Sequence, residues 1–188
     1  TSYTETHAFP FDAAYDESAT NAEVFQNSAA SLVERAFAGQ NTTFFAYGAT
    51  GSGKTHTMMG YGDELGVYFL AAQEIFKRLD VSTRPGLVLR VSCYEIYGGK
   101  VFDLLNGRAS CPVREDAQRK VNIVGLVQRQ VADIGPFEAL LREASAARST
   151  AATGVHADSS RSHSILQMSL AVPAKPATQS RPTPRPSP

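Results

Sequence analysis

The chain has no net charge, few cysteines and no long apolar run, and each shortage removes a class of function. Its 18 basic and 18 acidic residues cancel, so no overall field draws it to nucleic acid or to an anionic membrane. No stretch approaches the roughly eighteen consecutive apolar residues of a membrane-spanning helix, and Thr1 opens no secretory signal. Two cysteines are too few for a disulfide framework. Cys93 shares a strand side with Leu87, Leu89 and Val91 and reads as a core thiol, whereas Cys111 falls in a loop. A reducing, cytosolic setting fits that usage. The missing initiator Met reads as a chain that begins inside a longer protein. The 188 residues are enough for one domain with a real core.

What is present is a phosphate-binding signature. Gly48-Ala49-Thr50-Gly51-Ser52-Gly53-Lys54-Thr55 fits G-x-x-x-x-G-K-[ST]. Glycines there let backbone N–H groups converge on a polyphosphate without a Cβ in the way. Lys54 would reach the β- and γ-phosphates, and the Thr55 hydroxyl would ligate a magnesium ion. A helix starting near Lys54 would point its N-terminal dipole at the same anion. A chance Gly/Ser-rich turn is the competing reading. Against it, Thr42 to Tyr47 is a short aromatic and β-branched run that predicts a buried strand, and strand–loop–helix is the expected setting.

Along the chain, His7 to Phe11 is strand-like, and Thr20-Asn21-Ala22-Glu23 is a capping box. Apolar positions continue that helix to Phe37, and Gly39 stops it. The helix after the phosphate loop is interrupted around Gly60 to Gly66 and resumes from Tyr68 to Leu79. Leu87 to Tyr97 is the longest strand candidate, with Val101 to Leu105 after it. Val113 to Val127 reads as a hairpin around the polar link Glu115 to Lys120. Asp133 caps a helix with Pro136 in its first turn. Ser149 to Ser162 is a polar loop, and Leu166, Met168, Leu170 and Val172 alternate along a last strand. Six of the ten prolines fall in Pro173 to Pro188 with no large apolar residue. That composition cannot bury enough surface to order itself, so 173–188 reads as a disordered or polyproline-like tail or insert. Strands alternating with helices over 1–172 predict an α/β protein.

A second motif changes the weight of the first. Asp158-Ser159-Ser160-Arg161-Ser162-His163 precedes the alternating strand. Two hydroxyls beside a guanidinium suit a γ-phosphate sensor, since hydroxyls bind metal or water and Arg161 can pair with a carboxylate or phosphate. Together the two motifs closely resemble the kinesin motor domain. Phe11-Asp12 with Tyr15-Asp16 resembles that family's F-D-x-x-[FY]-D signature. Phe45-Ala46-Tyr47-Gly48 through Thr55-His56-Thr57-Met58 resembles its nucleotide loop, Tyr94-Glu95-Ile96-Tyr97 its central strand, and Ser159 to His163 its switch I. The likeness runs from about Phe9 to Val172. It implies a three-layer α/β/α sandwich of the P-loop NTPase kind around a central mixed sheet, here incomplete. It further implies ATP and Mg2+, with Gly48 to Thr55 around the phosphates and His56 beside the adenine. Thr55 and Ser160 would bind the metal, Ser159 and Ser160 the metal shell and γ-phosphate, and Arg161 would bridge to switch II. Microtubules are the implied partner and the microtubule cytoskeleton of the cytoplasm the implied location, with dimerisation left to regions outside this chain. In kinesins the hairpin matching Val113 to Val127 faces tubulin, which makes Arg114, Arg119 and Lys120 candidate contacts.

Three stretches further resemble the internal-motor, microtubule-depolymerising kinesin-13 subfamily: Gly66 to Ala72, Gly99 to Asn106, and Glu115-Asp116 leading to Val121 to Leu126. Two positions depart from the family pattern. Ala49 replaces a usual Gln outside the phosphate cradle, and His156 replaces the Asn of N-x-x-S-S-R-S-H, which touches water positioning and hydrolysis rate. No D-x-x-G-x-E switch II occurs, so the isolated chain is expected not to hydrolyse ATP at a motor-like rate. Three functions remain open on the sequence: an ATP-driven motor or depolymerase (or a walking kinesin), a truncated binding module without turnover, and a non-kinesin P-loop enzyme. The last leaves Ser159 to His163 unexplained.

Overall fold

The computed structural model describes residue 5, residues 7–152 and residues 162–172. Its first helical stretch begins as the capping box predicts, with the Thr20 hydroxyl accepting from the Glu23 N–H at 3.2 Å. It is not one regular helix. α1 (Asn21–Val24) passes through a π-helical segment (Phe25–Ala29) into α2 (Ala30–Phe37). Gly39, at φ 86°, ends it as expected. α3 (Lys54–Met59) follows the phosphate loop, and the interruption at Gly60 to Gly66 is a small hairpin of β1 (Gly60–Tyr61) and β2 (Glu64–Leu65). α4 (Val67–Asp80) then resumes.

The sheet is organised on β3 (Val88–Tyr97). One edge of β3 pairs along its whole length with β9 (Ser162–Ala171). The other edge is shared between β4 (Lys100–Asp103) and β8 (Arg129–Val131), and β4 carries β5 (Ala109–Cys111). All described pairings are antiparallel. β6 (Val113–Glu115) and β7 (Val121–Ile123) form the hairpin expected in that region. α5 (Ile134–Ala152) begins after Asp133, whose carboxylate accepts from the Gly135 N–H at 2.9 Å.

Leu89, Val91 and Cys93 on one side of β3 join Val131, Phe137, Leu140, Leu141, Ala71 and Ala72 in a single core. α5 lies against β3 and β8, and α4 against α5. Phe137, fully buried, meets Phe69 edge to face at 5.9 Å between ring centres. Leu166, Met168 and Leu170 pack on this core from β9, but Val172 is exposed and drops out of the predicted stripe. Burial pushes the Cys93 thiol up to about 12, with the nearby carboxylates of Asp103 and Glu143 adding to it. It is an inert core thiol, as its place on the strand predicts.

Four expectations are corrected. Thr42 to Tyr47 is not a buried sheet strand: it has no ladder partner among the described strands, and Phe45 and Tyr47 are 76% and 94% exposed. Only its alternate side faces inward, with Phe44 on the core and the Thr42 hydroxyl 3.4 Å from the Leu32 carbonyl. An apolar, β-rich pattern reports extended backbone, but a ladder needs a neighbour, which local sequence does not supply. His7 to Phe11 likewise forms no strand, and Phe9 and Phe11 are exposed. Cys111 lies buried in β5 rather than in a loop. Ser149 to Ser162 is not all loop, because α5 continues to Ala152 and Ser162 opens β9. Its Ala-rich composition suits a helix better than its polarity suggested.

Candidate nucleotide site and the family it identifies

The phosphate loop leaves the extended Thr42 to Tyr47 run and closes on the first turn of α3. Gly51 and Gly53 hold φ of 82° and 87°, values an L side chain rarely adopts. Gly48 is needed for space instead, since a Cβ there would run into the Ser52 side chain. The Ser52 N–H donates to the Ala49 carbonyl at 3.2 Å and the Thr57 N–H to the Gly53 carbonyl at 2.9 Å. Lys54 folds back over the loop, its ammonium donating to the Gly48 and Ala49 carbonyls at 2.9 and 2.6 Å. Thr55 and His56 follow on α3 with exposed side chains. All nine loop positions predicted from the sequence, 48–56, are therefore contiguous around one loop and one helical turn. His156, Ser159, Ser160 and Arg161 lie outside the described residues.

Two polar clusters, the first of them against α3, were not anticipated. Asn21, buried at the start of α1, donates from its side-chain amide to the His56 carbonyl at 3.0 Å. Its backbone N–H donates to Glu64 at 2.6 Å, and the other oxygen of Glu64 lies 3.3 Å from His56 Nε2. The capping box placed Asn21 at a helix start but gave no sign of these distant partners.

The second cluster surrounds Glu95, which is buried on the core side of β3. Its carboxylate accepts from the Ser162 hydroxyl at 2.5 Å and from Arg108 at 3.1 Å, and Arg148 Nε lies at 3.5 Å. Arg148 also donates to the Ser162 hydroxyl at 3.1 Å. A carboxylate on the same strand side as Leu89, Val91 and Cys93 was the available signal. Burial alone would raise the Glu95 carboxyl. The Ser162 hydroxyl and the Arg108 and Arg148 guanidiniums outweigh it and hold the group below its ordinary value of 4.5. The stability this adds is present above the unfolded value and is lost as pH falls through the lowered one. Between pH 6 and pH 3.5 the parent should therefore lose more denaturant resistance than Glu95→Gln. Equal losses in urea melts at the two pH values would deny the cluster that role.

The three cations predicted on the hairpin are exposed. Arg114 lies in β6, Arg119 adopts φ 61°, and Lys120 follows it. Asp116 is tied to the turn itself, accepting from the Lys120 N–H at 2.9 Å, the Asn122 amide at 2.9 Å and the Gln118 N–H at 3.0 Å. These bonds, that from Lys120 first, hold its carboxyl below the usual range. Among the described residues no helix is long and apolar enough to cross a membrane.

The chain matches the kinesin motor domain family over residues 1–184. Kinesin-like protein KIF24 of Homo sapiens is 44% identical over 176 residues, covering 93% of this chain and 13% of that protein. Kinesin-like protein KIN-13A of Oryza sativa subsp. japonica is 41% identical over 172 residues, covering 90% and 20%. The chain thus spans a fifth or less of the length of these two relatives. A solved structure of a fast kinesin superposes with a TM-score of 0.78 at 36% identity, over 84% of this chain and 46% of that one. That kinesin's α/β fold is the class expected here, of which this chain has a part. A phosphate loop of this shape, the α/β fold around it and a match across nearly the whole chain agree: the chain belongs to the kinesin motor domain family.

Proposed function

We propose that the chain is the nucleotide-binding part of an ATP-driven microtubule motor, one that couples hydrolysis to microtubule depolymerisation. The observation that carries this reading is the phosphate loop in a kinesin-family chain: left-handed glycines, no Cβ at Gly48, and Lys54 poised over the loop backbone. Such a loop fits a polyphosphate. Lys54 now donates to neutral carbonyls, and charged phosphate oxygens are stronger acceptors, so the ammonium would exchange to them on binding. Backbone N–H groups from Gly48 to Thr55 would hold the phosphates and His56 would border the adenine. Thr55 and Ser160 would hold Mg2+, which neutralises phosphate charge when bound. Ser159 would sense the γ-phosphate, and Arg161 would pair with a switch II carboxylate. Residues 1–172 would be the motor part and 173–188 a tail or insert. The location is the microtubule cytoskeleton of the cytoplasm, with any dimerisation outside this chain.

Depolymerisation is favoured by the kinesin-13-like stretches Gly66 to Ala72 and Gly99 to Asn106. The test is imaging of stabilised microtubules with the full-length protein. ATP-dependent shortening from the ends is expected. Directed gliding without shortening would make it a walking motor, and binding without ATP turnover a docking module.

Arg114, Arg119 and Lys120 would contact tubulin, whose surface is acidic. Exposed ion pairs are worth at most about 1 kcal/mol each, so charge reversal at Arg119 and Lys120 should weaken low-salt co-sedimentation roughly fivefold. Unchanged affinity would leave the hairpin a turn held by Asp116 and nothing more.

A further inference from the structure

Lys54 and Thr55 stand on a helix of six residues, far below the roughly twelve needed for a helix to persist by itself. Its orientation must come from elsewhere, and the structure shows two other segments gripping it. From α1, the Asn21 amide holds the His56 carbonyl at 3.0 Å. From β2, Glu64 uses both oxygens: one accepts the Asn21 N–H at 2.6 Å and the other faces His56 Nε2 at 3.3 Å. The hairpin carrying Glu64 is seated tightly on the end of α3. A Cβ at Gly60 would overlap the Glu64 carbonyl, and one at Gly66 would overlap the backbone of Met58, Met59 and Gly60.

From this arrangement we propose that Glu64 is a positioning residue for the nucleotide, acting through His56 and Asn21. It fixes α3, and with it Lys54 and Thr55, against the start of α1 and the β1–β2 hairpin. The proposal rests on the nucleotide-binding reading of the phosphate loop. Glu64 touches no phosphate itself. Its effect is geometric: a small tilt of a six-residue helix displaces both the ammonium and the metal-binding hydroxyl, and such misplacements weaken oriented contacts steeply.

The experiment is fluorescent-ATP and fluorescent-ADP titration of the full-length protein, parent against Glu64→Ala and Glu64→Gln, with Lys54→Ala as the control. Glu64→Ala should raise the nucleotide Kd by about tenfold and raise the Mg2+ concentration for half-maximal binding in parallel, through Thr55. Glu64→Gln keeps an oxygen for the Asn21 N–H and should fall between, at roughly threefold. The melting temperature of each variant without nucleotide serves as the structural readout. If Glu64→Ala does not fold, the isosteric Glu64→Gln shift alone decides. A lowered melting temperature with parental Kd overturns the proposal, as does a Kd shift with unchanged Mg2+ dependence. In those cases loss of binding in Lys54→Ala would leave the phosphate-loop reading standing. A parent that binds no nucleotide overturns both.

Discussion

Lys54→Ala in the full-length protein is expected to abolish measurable ATP binding, raising Kd at least about 100-fold. Each charge-assisted hydrogen bond to an anion contributes roughly 1.5–3 kcal/mol, and the ammonium would serve at least two phosphate oxygens. A loss of about 3–6 kcal/mol corresponds to between two and four powers of ten. Two features of this chain push toward the upper end. Lys54 is half-buried, and it also fastens the Gly48 and Ala49 carbonyls, so its removal loosens the cradle as well as removing the charge. Arginine is no substitute, because its planar fork does not reproduce a compact ammonium over two carbonyls. Fluorescent-nucleotide titration at 0.1 M salt is the measurement. A parental dissociation constant in the alanine variant would end the assignment of this loop.

Asp103→Ala should cost about 4 kcal/mol of stability, the largest loss expected from one substitution outside the apolar core. Asp103 is fully buried at the end of β4. One of its oxygens accepts the Leu105 N–H at 2.8 Å and the other the Val127 N–H at 2.7 Å. It therefore staples the turn after β4 to the segment leading into β8. Arg129 reinforces the same corner by donating to the Leu105 carbonyl at 2.6 Å and pairing with Glu143 on α5. Removing a buried polar group can stabilise a protein when its partners go too. Here the partners are backbone N–H groups that stay behind unsatisfied, at roughly 1–3 kcal/mol each. That asymmetry decides the sign. For a chain of this size the melting temperature should fall by about 10 °C. Asp103→Asn retains one acceptor oxygen and should lose about half as much. A fall of under ~2 °C for the alanine variant would mean that water or a rearranged turn replaces the carboxylate.

Both variants test positions that differ in how readily they could be read. Lys54 announced itself, because a phosphate loop is a contiguous motif whose geometry is local: glycine dihedrals, one lysine and a helix start within eight residues. Asp103 and Glu95 were visible only as charges interrupting apolar patches. Which backbone N–H or side-chain donor answers each of them depends on segments 24 and 67 residues away, the Val127 N–H for Asp103 and the Ser162 hydroxyl for Glu95. Asn21 and Glu64 carried even less signal, one inside a capping box and the other inside an interruption between helices. Their bond joins positions 43 residues apart.

From the sequence by itself came the α/β class, the family resemblance, the phosphate loop, the hairpin around Glu115 to Lys120, Cys93 as a core thiol and the spans of α4 and β3. The family resemblance rests on matched motifs; the others follow from short-range rules: side-chain period, turn residues, and the backbone freedom of glycine. Only the tertiary structure decided that Thr42 to Tyr47 runs extended without a ladder partner, that Cys111 is buried in β5, and that β3 shares one edge between β4 and β8. Local pattern sets which faces of a segment are apolar. Which neighbour covers a face, and which distant donor meets a buried acceptor, is settled by packing the whole chain at once, where burial and hydrogen-bond satisfaction must close together.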